Sequence, residues 1–346
     1  MLIFIILQEI QRMLNNLLIF WQNGYFCDQI LALMVQREFT WGNDKRYNDY
    51  SSWFRKKFDG RVQKISLDAG FTCPNRDGSR GSGGCTYCNN KSFNPDYCRT
   101  EENIAGQILK GIRFFAGKYP SMRYLAYFQA YSNTYAPVEI LRQSYEEALR
   151  HPGVIGLVIA TRPDCLSREV LDLLEEFSGR CYVSIELGIE SFKDETLDRI
   201  NRGHSAAESI EAIHKIASRG IDNCIHLILG LPGEDEDDFI QHAVTLSELP
   251  VQGVKLHQLQ IHRGTRMAIQ YRENPEFFRL FEVDQYADLV VRFLAHLSPR
   301  IIVQRFVSSA PAGMVIAPDW GIKNYEFVAK VEKLLVQHDT WQGKMC

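Results

Sequence analysis

From Arg61 onward, short apolar runs recur along the chain, and the stretches between them carry apolar residues every three or four positions. The runs are Val62–Leu67, Tyr124–Gln129, Val154–Ala160, Cys181–Gly188, Cys224–Gly230 and Val254–Ile261, with a seventh candidate at Ile301–Phe306. Most are continuous Val, Ile and Leu, as expected of parallel strands covered on both faces. Between them, Ile104, Ile108, Ile112 and Phe115 fall on one face of a helix. Ser167 predicts an N-cap ahead of the stripe Val170, Leu171 and Leu174. Ile210, Ile213, Ile216 and Ala217 form a further stripe, closed by Gly220 at the C-cap position. Strands separated by helices of this length call for right-handed crossovers. Six or seven such units predict an α/β fold, a partial or complete parallel β/α barrel. In that architecture the reactive groups sit where strands end and βα loops begin.

Composition changes this picture little. The 346 residues are 45% hydrophobic and 23% charged, ordinary for a globular chain with a substantial core. The net charge of −3 predicts no general attraction to nucleic acid, although a local basic patch stays open. Residues 1–33 stand apart. They are rich in Leu and Ile, broken by Glu9, Arg12 and Asp28, and the run Leu2–Leu7 is too short to span a bilayer. No basic segment precedes that run and no small-residue cleavage site follows it, against a secretory signal. They are expected either to form an amphipathic helix or to lie upstream of a natural start at Met34. No membrane association is expected.

Nine cysteines are too few for a disulfide scaffold at this length. Three of them, Cys73, Cys85 and Cys88, fall within sixteen residues just after the first strand, spaced C-x11-C-x2-C. Gly78, Gly81, Gly83 and Gly84 allow the loop between them to wrap tightly round a compact centre. Three thiolates on a four-iron cluster leave one iron open, as reactive rather than structural metals require. A zinc site needs a fourth ligand, for which Cys98 is the nearest cysteine, since no histidine precedes His151. The other cysteines, Cys27, Cys98, Cys165, Cys181, Cys224 and Cys346, are expected to be core or surface thiols.

A three-cysteine loop after the first strand of a β/α barrel, with aromatic Tyr87 before the last cysteine, resembles the radical SAM superfamily. The run Ile65-Ser-Leu-Asp-Ala-Gly-Phe-Thr-Cys73-Pro-Asn-Arg-Asp-Gly is similar to the YhcC-type radical SAM proteins, relatives of the elongator catalytic subunit and of oxygen-independent coproporphyrinogen oxidase. The similarity runs from about Phe39 to near the C-terminus, including Pro318-Asp-Trp320 and Gln342-Gly343-Lys344. It implies a radical SAM type of β/α barrel with a [4Fe-4S] cluster on Cys73, Cys85 and Cys88. It also implies S-adenosylmethionine (SAM) as cofactor, cleaved with an electron from an external flavodoxin- or ferredoxin-type reductant. The resemblance further implies SAM contacts at successive strand ends. Tyr87 belongs to the cysteine loop and Ser132 to the turn near the SAM amino group. Glu190 would meet the ribose hydroxyls and Arg202 the SAM carboxylate. His226 belongs to the strand leading into the turn under the adenine, and Leu259 would meet the adenine face. Two departures stand out: the Ser132 turn lacks the glycines of relatives, and Ala160 stands where relatives can carry a carboxylate.

By itself the pair Glu190 and Arg202 also suits a structural ion pair, and His226 a satisfied core histidine. The stretch Asn43–Lys64 mixes seven basic residues with Tyr47, Tyr50, Trp53, Phe54 and Phe58. Such a mixture suits either an RNA-binding face or a helix whose aromatics dock on the barrel. The acidic run Glu234–Asp238 is expected to open a helix. Four segments follow: an extension over 1–33, a basic and aromatic lead-in over 34–60, the barrel over 61–298, and a small C-terminal αβ addition over 299–346. In the last, Trp320, Tyr325 and Trp341 either line a pocket or simply pack. The expected activity is that of a cytoplasmic, monomeric radical SAM enzyme acting on an RNA base or a small molecule. The other reading is a non-catalytic zinc or iron–sulfur module.

Overall fold

Seven strands form one sheet in the order β1-β2-β3-β4-β5-β6-β8, every pair of neighbours parallel. The computed structural model describes residues 38–346 except 90–94, 96, 99–101, 117–121, 130, 309 and 312. The expectation for residues 1–33 therefore lies outside the described residues. Arg46–Cys346 forms one compact unit.

The strands are β1 (Val62–Leu67), β2 (Arg123–Phe128), β3 (Val154–Thr161), β4 (Tyr182–Glu190), β5 (Asp222–Leu229), β6 (Gly253–Gln258) and β8 (Ile302–Arg305). The helices ahead of, between and after them are α1 (Tyr50–Phe58), α2 (Ile104–Ala116), α3 (Val138–Leu149), α4 (Arg168–Ser178), α5 (Asp194–Arg199), α6 (Ala206–Ala217), α7 (Glu236–Glu248), α8 (Arg266–Glu273), α9 (Val283–Ala295) and α10 (Asn324–Gln337). A two-residue strand β7 (Ile261–His262) pairs antiparallel with β9 (Val315–Ala317).

The sheet curls but does not close by backbone pairing, so the barrel is partial: β8 pairs only with β6. Two devices span the opening. The segment before α1 lies along the free edge of β8, with Val303 N–H donating to Asn48 O at 2.8 Å and a parallel bridge at Asp49. Lys64 on β1 reaches Gln304 on β8 through a 3.0 Å hydrogen bond. Covering an edge in this way removes a site for unwanted strand pairing.

Helix ends follow the expected chemistry. The Ser167 hydroxyl accepts from Val170 N at 3.3 Å, and Gly220 turns the chain after α6 with φ +67°. Asp235 caps α7, but Glu234 does not belong to that solvated face. It is buried and accepts from Ser191 Oγ, with His242 Nε2 at 3.3 Å.

One strand departs from expectation. The run Val254–Ile261 divides: β6 ends at Gln258, whose side chain bonds Ser308, and Ile261 and His262 turn away to meet β9. The tail divides as well. Its first part is the seventh strand of the main sheet. Its aromatics pack or face solvent rather than line the cavity. Trp320 stacks on Phe327 and donates to Phe281 O at 2.9 Å, Tyr325 is 66% exposed, and Trp341 lies under the Lys344 ammonium.

The lead-in stretch also resolves. Asp49 caps α1, which lays Phe54 against Leu125 and Val158, with Phe58 edge-on to Tyr182 at the start of β4. Lys57 pairs with Asp222, the first residue of β5, at 2.5 Å. The aromatics thus close the barrel at the N-terminal strand ends, opposite the cysteine loop. Only the outward face carries Arg55 and Lys56 into solvent.

Candidate functional site

The loop after β1 is tied down before it presents its cysteines. Arg76 N and Asp77 N donate to Cys73 O, and Cys88 N donates to Cys85 O at 3.1 Å. Gly84, at φ +74°, turns where any side chain would strain, and its carbonyl accepts from Asn201 Nδ2 at 2.8 Å and from Arg266 at 3.0 Å. Asn75 Nδ2 returns a 2.6 Å bond to Asn201 O, and Thr86 N bonds Ile200 O. The corner after α5 therefore fixes the loop over the C-terminal strand ends.

Cys73, Cys85 and Cys88 line one cavity of about 200 Å³ together with residues from every strand end. All six expected SAM contacts, Tyr87, Ser132, Glu190, Arg202, His226 and Leu259, line the same cavity. Arg202 stands beside the cysteines. It reaches Cys85 Sγ at 3.3 Å, Glu190 at 3.5 Å and the carbonyl of Gly188. Gly188 leaves room for this approach: a Cβ would meet the Arg202 guanidinium and the Glu190 carboxylate, each at 2.9 Å, and displace them. Glu190 itself has φ +75° at a bulge in β4, an uncommon conformation for a residue other than glycine. Burial pushes its carboxyl above the usual range, while Arg202 and a hydrogen bond from Tyr87 pull it back. Ala160 lines the cavity without offering a polar group. Beside it Arg162 is held by a two-pronged bond to Asp164, at 2.8 and 2.9 Å.

Sequence reasoning missed the floor of this cavity. Glu186, fully buried in the middle of β4, accepts from Lys64 at 2.8 Å, from Lys255 and from His226 Nε2 at 3.0 Å. Burial would raise its carboxyl, but the two ammonium groups outweigh that and hold it well below the usual range. Burial lowers Lys255 to about 8, and burial with Lys255 nearby lowers His226 to about 4. His226 is thus neutral at pH 7 and donates through Nε2. It is bonded within the protein and also faces the cavity. Tyr127, His257 and Arg305 complete this floor. The available signal was a charged residue inside an apolar strand: Lys64, Glu186 and Lys255 each interrupt such a run.

Among the described residues, several buried polar atoms at the cavity wall have no hydrogen-bond partner: Ser132 Oγ, Arg162 Nη1 and Arg202 Nε. Beside three thiols, the two guanidinium donors fit a cofactor carboxylate, and the Ser132 hydroxyl can accept from an amino group. A single zinc fits less well. Tetrahedral zinc with Zn–S bonds of about 2.3 Å would draw its ligands to about 3.8 Å of one another. Among the described residues no group of three or more His, Cys, Asp or Glu side chains is arranged to hold one ion. Cys98 is engaged elsewhere, with Gln107 Oε1 at 3.5 Å, and burial pushes its thiol up to about 12.

Among the described residues no helix is long and apolar enough to cross a membrane. The chain matches the Radical SAM superfamily over residues 75–246 and the Radical SAM C-terminal domain over 251–337. It is 36% identical over 313 residues to YtqA of Bacillus subtilis (strain 168), covering 90% of this chain and 97% of that protein. To YhcC of Escherichia coli (strain K12) it is 37% identical over 297 residues, covering 85% and 94%. The structure of Elp3 from Methanocaldococcus infernus, lacking its N-terminus, shares the fold with a TM-score of 0.61 at 15% identity, over 81% of this chain and 64% of that one. Enzymes of this superfamily generally use a [4Fe-4S] cluster, SAM and an external reductant. A curled parallel sheet, a cysteine loop at its C-terminal edge and relatives matching nearly the whole chain lead to one assignment: this protein belongs to the radical SAM superfamily, among its YhcC-type enzymes.

Proposed function

We propose that this enzyme holds a [4Fe-4S] cluster on Cys73, Cys85 and Cys88 and cleaves SAM reductively to act on a substrate in the same cavity. When bound, a cluster held by these three thiolates would supply the electron, drawn from an external reductant, for reductive cleavage of SAM at its C5′–S bond and so for hydrogen-atom abstraction from the substrate. The residues of this chain bind and orient. Arg202, already buried and rigid, offers Nε to the SAM carboxylate, as the guanidinium fork suits. Glu190 faces the ribose hydroxyls, Ser132 Oγ the amino group, and Leu259 the adenine, with Tyr87 steadying Glu190. His226, held by Glu186, keeps its other ring nitrogen as an acceptor. The carrying observation is the convergence of the three cysteines and the orphaned donors of Ser132, Arg162 and Arg202 on one cavity.

The closed position of α1 speaks against the lead-in as an RNA-stacking face, because its aromatics are spent on the barrel floor. A small substrate inside the cavity is the better-supported reading. The test is anaerobic reconstitution of the full chain, followed by iron, sulfide and 5′-deoxyadenosine analysis. About four irons and four sulfides per chain are expected. Replacing any one of Cys73, Cys85 or Cys88 by Ala should abolish both cluster and 5′-deoxyadenosine, whereas Cys98→Ala should retain the iron. Equal dependence on Cys98, with zinc retained, would favour a structural metal module instead.

A further inference from the structure

Arg305 ends β8 and lines the floor of the cavity. One Nη donates to His257 Nε2 at 3.3 Å, and Nε is buried with no partner. Among the described residues no carboxylate pairs with it. Glu186, the nearby acid, is already shared between Lys64 and Lys255. Two ammonium groups thus share that carboxylate, and the Arg305 guanidinium lies beside Lys255 inside the barrel. The histidines beside them, His226 and His257, are held neutral by burial and by these cations. His257 accepts on Nε2, which leaves Nδ1–H as a further donor. Arg305 is half-buried with its Nε shielded from solvent and unbonded among the described residues, so an anion in the chamber would complete its hydrogen bonds.

We infer that this chamber holds the substrate by an oxyanion, a carboxylate or phosphoester on a small molecule, gripped by Arg305 with His257 beside it. The inference rests on the proposed SAM-cleaving reaction, for which the chamber is the substrate site. Arg305 and the Arg202 carboxylate site line the same cavity on different elements, so SAM and an anionic substrate have separate cationic anchors.

The test uses the reconstituted full chain, calorimetry, and three oxyanion probes: inorganic sulfate, succinate and glycerol 3-phosphate. Succinamide and glycerol are the neutral controls. At least one oxyanion should bind saturably to the parent while its neutral counterpart does not. Arg305→Gln should weaken that binding roughly tenfold or more, as loss of charge-assisted bonds predicts. Arg305→Lys should restore part of it. His257→Gln serves as a second variant should Arg305→Gln fail to fold, and it should also weaken binding. Preference for succinate or for glycerol 3-phosphate would assign the carboxylate or the phosphoester class. No saturable binding of any probe, unchanged binding in the folded variants, or binding of tRNA alone would overturn the inference. Failure of the underlying reaction reads differently. A protein with its full iron and SAM cleavage but no anion binding sinks only the chamber, whereas anion binding without iron sinks only the radical chemistry.

Discussion

At the scale of single residues, the site depends on positions where one atom more or less changes the contacts. Gly188 leaves the space into which Arg202 reaches, and the bulge that follows sets Glu190 at a positive φ. Arg202 can then serve the protein and a ligand together, with one Nη on Cys85, the other on Gly188 O, and Nε unbound. Arg202→Ala is accordingly expected to keep the iron but to weaken SAM binding by about 1.5–3 kcal/mol, roughly ten- to a hundredfold. Titration of SAM into the reconstituted variant measures this, and an unchanged affinity would make Arg202 purely structural. Several of these positions were visible in the chain, because Glu190 and Arg202 occur in short motifs near predicted strand ends. The part played by Gly188 was not, since it depends on a guanidinium fourteen residues away.

At the scale of elements, α1 shows why pattern alone left two readings open. Its mixture of basic and aromatic residues favours a helix docked on the barrel but leaves an RNA face open. The decision came from partners distant in sequence, Leu125, Val158, Tyr182 and Asp222, which belong to four different strands. Phe54, 6% exposed, is the central plug. Phe54→Ala should cost about 3–5 kcal/mol, the usual range for a buried phenylalanine. Arg55→Ala on the outward face should stay within about 0.5 kcal/mol of the parent. Chemical denaturation of the two variants distinguishes them, and a mild effect at Phe54 would mean that α1 is only loosely docked. The break in Val254–Ile261 has the same origin. Its local pattern is one strand, but Ile261 and His262 pair with β9, far on in the chain, rather than continuing β6.

At the scale of the whole molecule, burying so many ionisable groups makes stability depend on pH. His226 is lowered from its ordinary 6.5 to about 4, chiefly by burial, so the unfolded chain takes up a proton before the native one does. The native state therefore loses stability as pH falls from about 6.5 towards 4, by up to about 3 kcal/mol from this residue. His257 and His262 are shifted in the same direction, while Glu190, raised by burial, opposes them. His226→Gln keeps a donor for Glu186 and should flatten the stability profile between pH 6.5 and 4.5 without altering it near pH 8. Unfolding curves at those pH values test this, and a parallel profile would show that His226 is protonated in the native state. Glu186 adds a loss only at lower pH, because its carboxyl, held well below the usual range, contributes stability above about 4.5 that fades in stronger acid.

The chain alone determined what local rules control. Continuous apolar runs specified buried parallel strands, three- and four-residue periodicity specified the helices between them, and Ser167 and Gly220 marked helix ends. The C-x11-C-x2-C spacing after the first strand marked the candidate cluster loop, because a loop suited to wrap a compact centre needs its thiols and glycines close together in sequence. Tertiary structure decided what depends on which side chains share the barrel interior. Lys64, Glu186, Lys255 and Arg305 are separated by tens to hundreds of residues, and each looks like an isolated polar interruption of a strand. They meet because side chains alternate across a strand and the parallel pairing, with a register shift that sets Arg305 opposite Lys255, brings all four to the same interior. No local pattern encodes that register. It follows from the curl of seven strands around one core, and with it come the buried charge, the neutral histidines and the cationic floor of the cavity.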